Sequence, residues 1–264
     1  MLQATAADQT DQNSADRPHG GPPSVSLHAE RLAFDGVALF EALDVALEAG
    51  RITCLLGPSG VGKSTLLRLL AGLTEPAPGD RLTCGDGLPL AGRVAYMDQR
   101  DLLLPWLSVL DNVTIGARLR GMAADTDRAA ELLERVGLAG RERDRPAALS
   151  GGMRQRVALA RTLMEDRPVV LMDEPFSSLD AVTRYRLQGL AASLLKDRTV
   201  LLVTHDPNEA IRLGHNLHVM AGRPAVLDRA MTLPGAPPRD PTDPALIPVQ
   251  RELMARLGLA ERGG

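Results

Sequence analysis

Ile52-Thr-Cys-Leu-Leu-Gly-Pro-Ser-Gly-Val-Gly-Lys-Ser64 runs from a short apolar stretch through a glycine-rich turn into residues 65–70, where leucines recur at helical spacing. An apolar run that ends in glycine and opens a helical pattern reads as strand, loop and helix. Within it, Gly57, Pro58, Ser59, Gly60, Val61, Gly62, Lys63 and Ser64 fit the phosphate-binding loop in the strand-to-helix context which that motif requires. The glycines let backbone N–H groups close around phosphate oxygens, and the helix N-terminus favours an anion. Lys63 is expected to reach the β- and γ-phosphates of a nucleotide, and the Ser64 hydroxyl to ligate Mg2+.

Further along, residues 169–172 are wholly apolar and lead into Asp173-Glu174. A carboxylate at the C-terminal edge of a parallel strand points into the crevice where ligands bind. Asp173 therefore suits a water-mediated metal contact, and Glu174 suits a general base for water attacking the γ-phosphate. Between the two motifs, Leu149-Ser-Gly-Gly152 opens another helix, with Ser150 as N-cap and Val157, Ala160 and Met164 recurring at spacings of three and four. Ser150 and the N–H groups of Gly151 and Gly152 make a second anion site, and one ATP has no need of two. The pair makes sense if the second serves the ATP of a partner molecule; a bare Ser-Gly-Gly is otherwise a simple cap with a flexible turn.

Residues 1–24 are rich in Asp, Gln, Ala, Gly and Pro without apolar periodicity and read as a disordered leader. Residues 26–34 and 43–47 roughly alternate apolar and polar positions, as the strands of an antiparallel hairpin or edge sheet do. Residues 93–97 read as a strand, and 108–121 and 125–136 as helices, the second closed by Gly137. With the helix opened by Ser150, they place a helical lobe over about residues 99–165. Strands at 169–172, 199–204 and 217–220 then alternate with helices at 181–195 and 207–213, which implies parallel strands with crossover helices. The expected fold class is α/β: a P-loop NTPase core with a mostly parallel sheet, an antiparallel β subdomain and an inserted α-helical lobe. Residues 233–264 form a Pro-rich tail, with six prolines between 234 and 248 and one short helix at about 249–259.

The 264 residues suffice for one substantial domain, and 44% hydrophobic residues supply an ordinary core. A net charge of -3 gives no general pull toward nucleic acid, and 2% aromatic residues leave few stacking platforms for single strands. Cys54 and Cys84 lie far apart, outside any CxxC or Cys/His cluster, so cytosolic thiols fit better than a metal or redox site. No stretch reaches the roughly 18 consecutive apolar residues of a membrane span, and the polar N-terminus is unlike a secretion signal. Any membrane role is expected to come through a partner.

Taken together, the motifs resemble those of an ATP-binding cassette (ABC) ATPase, the nucleotide-hydrolysing subunit of a transporter, over roughly residues 25–232. Gly57 to Thr65 resembles the family's Walker A, Gln99 its Q-loop glutamine, 149–153 its signature, and Asp173-Glu174 its Walker B and catalytic glutamate. Ser178-Leu179-Asp180 resembles the D-loop, and His205 the switch histidine. The resemblance implies a head-to-tail pair of two copies of this chain, with two ATP molecules between Walker A of one and the signature of the other. Ser150, Gly151 and Gly152 then act in trans, His205 contacts the γ-phosphate, Gln99 senses Mg2+ and the attacking water, and Asp180 links the two sites. His19, His28, His215 and His218 fit no motif and read as structural or surface residues. Two positions depart from the family pattern. Phe34 stands where an adenine-stacking aromatic, most often Tyr, is usual, and keeps the π-face without the hydroxyl. Met153 replaces the signature's usual Gln and lacks its amide.

A single cassette without membrane spans is similar to the separate ATPase subunit of bacterial importers, held at the cytoplasmic face of the inner membrane by permease subunits and served indirectly by a solute-binding protein. Residues 101–113 resemble the subgroup for nitrate, sulfonate, taurine and pyrimidine-type thiamine precursors, with the look of residues 96–120 leaning toward the pyrimidine. Leu102, Leu103, Leu104 and Trp106 are expected to line the groove for a permease helix, or else to form a cluster internal to the lobe. DNA-repair relatives would need a long coiled-coil insertion between the glycine motifs, and ribosomal relatives a second cassette; neither is present. A clamp that binds ATP without hydrolysing it would have lost Glu174 or His205, and a small-molecule phosphotransferase would leave residues 149–152 unexplained.

Overall fold

The computed structural model describes residues 21–34 and 37–262, so most of the leader expected over residues 1–24 lies outside the described residues. In chain order the strands and helices are β1 (Val25–Phe34), β2 (Val37–Leu47), β3 (Ile52–Leu56), α1 (Lys63–Leu70), β4 (Arg81–Cys84), β5 (Val94–Met97), α2 (Val109–Leu119), α3 (Thr126–Arg135) and α4 (Gly151–Met164). They continue as β6 (Val169–Asp173), α5 (Ala181–Leu194), β7 (Thr199–Val203), α6 (Pro207–Leu213), β8 (Asn216–Ala221), β9 (Val226–Leu227), β10 (Met231–Thr232) and α7 (Ile247–Arg262).

Two sheets result. The larger runs β10-β8-β3-β7-β6-β5, with β9 against β8. Its strands from β8 to β5 are mutually parallel, while β9 and β10 lie antiparallel to β8. Both faces are buried, which is why β3, β6 and β7 read as continuous apolar runs. Ile52, Cys54, Leu56, Val170, Met172, Val200 and Leu202 enter one core with the helices α2 to α7. Leu55, Val169, Leu171, Leu201 and Val203 face the other way, onto α1 and the second sheet. That sheet is antiparallel, in the order β2-β1-β4.

The P-loop NTPase architecture is as expected, with three differences in its parts. β2 begins well before the expected residue 43; the alternation breaks at Glu41-Ala42, where Ala42 takes φ +50, so only the half from Leu43 onward shows a period of two. β4 completes the small sheet although its Arg81, Leu82 and Thr83 are exposed and carry no apolar pattern. In the tail, α7 is longer than expected and buries Leu253 and Ala260, with Leu246 just ahead of it, in the main core. Arg239 anchors the tail, its buried guanidinium donating to the carbonyls of Ile211, Gly214, Pro234 and Gly235 at 2.7–3.1 Å.

Candidate nucleotide site

β3, β7, β6 and β5 stand side by side and parallel, so their C-terminal ends share one edge. Each of those ends leads into a residue singled out in the sequence: Gly57 after β3, His205 after β7, Asp173-Glu174 at β6 and Gln99 after β5. This is the carboxyl-end crevice where open parallel sheets take their ligands.

The turn after β3 is tight enough to require glycine. Gly57 adopts φ +145, and a Cβ there would stand 2.2 Å from the Met220 carbonyl oxygen. At Gly62, φ +111, a Cβ would stand 2.6 Å from the Phe40 ring, which is fully buried beneath the loop. Ser59 and Gly60 form the exposed crown, Pro58 is half-buried, Val61 enters the core, and Ser64 and Thr65 are half-buried in the first turn of α1. The Lys63 ammonium donates to the Gly57 and Pro58 carbonyls at 2.7 and 2.8 Å, closing the loop on itself. Burial holds it below the usual lysine range, against the opposing pull of Glu174 and Asp173.

Asp173 is buried, and that burial pushes its carboxyl above the usual carboxylate range. The Ser64 hydroxyl, hydrogen-bonded to it, opposes the shift, as does the charge of Lys63, while Glu174 and Asp98 add to it. A buried carboxylate joined to a serine hydroxyl, with the Gln99 amide nearby, is an all-oxygen donor set of the kind Mg2+ prefers. Among the described residues no cluster of three or more His, Cys, Asp or Glu is placed to hold a metal ion. A cation here would complete its shell from nucleotide and water, as Mg2+ ordinarily does.

Glu174 is the meeting point of the site. Its Oε2 lies 3.2 Å from Gln99 Nε2 and 3.1 Å from His205 Nδ1, with the Glu174 side chain only 18% exposed. Its backbone adopts φ +46, in the left-handed region, at a strain cost of about 1–3 kcal/mol for a residue with a side chain. Three contacts hold it there. Glu174 N–H donates to Val203 O at 2.9 Å, Ser177 Oγ donates to Glu174 O at 3.1 Å, and buried Gln155 reaches Pro175 O at 3.2 Å. Gln155 and Ser177 escape sequence reasoning; a polar residue within the apolar pattern of α4 is the one available signal for Gln155. Asp98 was missed likewise. It accepts from Arg100 N–H and from the Tyr96 hydroxyl, and so shapes the turn that presents Gln99.

The second glycine motif is built differently. Ser150 Oγ caps α4 by accepting from Met153 N–H at 3.3 Å. Gly151 and Gly152 have no left-handed φ, and a Cβ at Gly151 would meet nothing closer than Arg154, at 3.9 Å. A Cβ at Gly152 would lie 3.2 Å from Ser178 O, beside the Ser178-Leu179-Asp180 turn. Asp180 caps α5 through Thr183 N–H, and those hydrogen bonds hold its exposed carboxyl below the usual range. No hydrogen bond among the described residues joins Ser150, Gly151 or Gly152 to the loop of residues 57–64, so the structure does not unite the two motifs within one chain.

Other expectations divide. Phe34 ends β1, and its side chain lies outside the described residues. Leu102 and Trp106 are 49% and 66% exposed, but Leu103 is buried in the main core and cannot line a groove. The Asp101-Leu102 turn is fastened to α4 by Arg154, whose Nε meets Asp101 Oδ2 at 3.0 Å, and by Arg161, which donates to the Asp101 and Leu102 carbonyls. His28, His215 and His218 make local contacts with Asp44, the Ile52 N–H and the Asp228 carbonyl, while His19 lies outside the described residues. Among the described residues no helix is long and apolar enough to cross a membrane.

A phosphate loop at the end of a central parallel strand, facing a carboxylate pair at the next strand but one, defines a P-loop nucleotide hydrolase. The model of the family described as ABC transporter matches residues 40–177. An uncharacterized ABC transporter ATP-binding protein of Haemophilus influenzae is 44% identical over 233 residues, covering 86% of this chain and 95% of its own. The aliphatic sulfonates import ATP-binding protein SsuB 1 of Rhodococcus jostii is 46% identical over 214 residues, covering 80% and 84%. Among solved structures, a dimeric ATP-binding cassette in a post-hydrolysis state, bound to ADP and Pi, matches with a TM-score of 0.70 at 27% identity, over 80% of this chain and 99% of that one. The chain belongs to the ABC transporter family, as one of its ATP-binding, ATP-hydrolysing cassettes.

Proposed function

We propose that two copies of this chain pair head to tail, hydrolyse ATP at their interface and so drive a bacterial importer. The observation that carries this is the convergence of Gln99 and His205 on one oxygen of Glu174, beside Lys63 and Asp173 at a single sheet edge. In this reading residues 57–65 bind the nucleotide's phosphates, and Lys63 exchanges its bonds to the loop carbonyls for β- and γ-phosphate oxygens. Ser64, Gln99 and, through water, Asp173 would hold Mg2+, which when bound would supply neutralisation of the phosphate charge. Glu174 takes a proton from a water as the water oxygen attacks the γ-phosphorus, and the bond to the bridging oxygen breaks to leave ADP and phosphate. Gln99 and His205 orient the Glu174 carboxylate for that transfer, and Phe34 stacks on adenine.

Support for the dimer comes from Gly151. Nothing among the described residues forbids a side chain there, so its glycine suits approach by a group from outside, namely the partner's nucleotide. Ser150 and Gly152 would share that contact, with Asp180 linking the two sites. We assign residues 25–232 to the cassette, about 99–165 to its helical lobe and 233–264 to a tail. Exposed Leu102 and Trp106 suit a permease helix, which would hold the chain at the cytoplasmic face of the inner membrane with a solute-binding protein beyond it. The sulfonate names of several relatives favour an aliphatic sulfonate as cargo over the pyrimidine suggested by residues 96–120.

Glu174→Gln tests the base. It should bind ATP, accumulate as a dimer and lose turnover by at least about a hundredfold. Turnover equal to that of the unaltered chain overturns the assignment.

A further inference from the structure

Behind the Glu174–His205 pair lies a cavity of about 20 Å³ whose lining includes Glu174, Arg184, Thr204, His205, Asp206 and Glu209. Glu209 is 4% exposed, and nothing in the hydrolysis scheme uses it. One carboxylate oxygen, Oε2, accepts from the buried Gln188 amide of α5 at 3.2 Å, and the neighbouring Thr204 hydroxyl favours the charged form of the carboxyl group. The other, Oε1, is fully buried and without a partner. A buried carboxylate oxygen left unpaired is costly, and a cavity this size takes about one water molecule.

We propose that Glu209 is a positioning residue of the hydrolysis centre: through Thr204, and through a water seated in the cavity it shares with Glu174 and His205, its carboxylate fixes the loop that presents His205. The inference rests on the ATPase reading above. Thr204 immediately precedes His205, and its Oγ accepts from Asp206 N–H at 3.0 Å, so the hydroxyl beside Glu209 also closes the turn that carries the histidine. The same residue ties that turn to α5. Gln188 bonds it directly, while Arg184 spans from the Phe176 and Leu179 carbonyls to Asp206.

Burial pushes the Glu209 carboxyl up to about 7. Asp206 adds to the shift, while Thr204, Gln188 and Arg184 oppose it; Glu174 and His205 face the group across the cavity, and Cys54 faces it from β3. The ionised form accepts from Gln188, is favoured by the Thr204 hydroxyl and sets a negative charge behind His205 and Glu174. The positioning effect therefore grows as pH rises through about 7 and fades below it.

The test compares MgATP turnover of the full chain from pH 6 to 8.5 for the unaltered protein, Glu209→Gln and Gln188→Leu, with Glu174→Gln alongside. The unaltered chain should show kcat rising with an inflection near pH 7. Glu209→Gln should lack that inflection and turn over roughly tenfold more slowly at pH 8, with KM within about twofold. Gln188→Leu, which removes a donor to the ionised form, should move the inflection upward by about one pH unit. An inflection retained in Glu209→Gln, at normal or reduced kcat, overturns the proposal; if that variant does not fold, an unmoved inflection in Gln188→Leu does so. Turnover by the unaltered chain that Glu174→Gln abolishes keeps the ATPase reading intact whichever way the Glu209 result falls.

Discussion

The two glycine-rich helix starts, at α1 and at α4, look alike as strings and differ as structures. Around α1, Gly57 and Gly62 hold left-handed φ values and press against Met220 and Phe40, so the chain itself demands glycine there. Around α4, Ser150 makes an ordinary cap, and a Cβ at Gly151 would meet nothing among the described residues closer than Arg154 at 3.9 Å. Glycine at the first site is a requirement of folding. At the second it is a clearance, which the proposed head-to-tail pairing would put to use.

Substitutions can break that contrast. Gly57→Ala should cost roughly 3 kcal/mol of stability and abolish nucleotide binding, because both its φ and the Met220 carbonyl forbid a methyl; calorimetric unfolding with and without ATP measures both, and a stable variant that still binds ATP would erase the distinction. Ser150→Ala should cost about 1 kcal/mol, the worth of a cap, and leave ATP binding by the separate monomer unchanged. Gly151→Ala should leave stability the same or raise it by up to about 1 kcal/mol while slowing turnover roughly tenfold, the pattern of a residue that matters only between chains. If its stability falls in step with turnover, the clearance argument fails. The smallest effect belongs to Met153→Gln, which should keep stability within about 0.5 kcal/mol and raise turnover about threefold, as one restored hydrogen bond would; a steady-state ATPase assay reads it.

Much of the larger sheet was legible because its strands are buried on both faces and its loops carry phosphate chemistry. β3 with its glycine turn, β6 with Asp173-Glu174 and the Ser150 cap all follow from local pattern and appear where expected. What failed to show depends on tertiary contact. β4 is an exposed edge recruited by pairing with β1, and β9 and β10 are two residues each, too short for any period to show. Leu103 is apolar like its neighbours, and only the folded turn decides that it goes inward while Leu102 goes out. Gln99 is marked only by family resemblance, since no local rule distinguishes a lone glutamine after a strand. Asp98 and Glu209 are polar residues whose burial leaves no trace in the string, and Gln155 shows only as a polar break in the apolar pattern of α4, although each lies against the hydrolysis centre.

Arg154 carries one last consequence. Its guanidinium bonds the Leu149 carbonyl, immediately ahead of Ser150, and the Asp101 carboxylate, immediately ahead of exposed Leu102. A single planar group thus joins the loop that faces outward at Trp106 to the residue that precedes the Ser150 cap. Both loops are thereby fastened to one helix, α4, which carries Arg154.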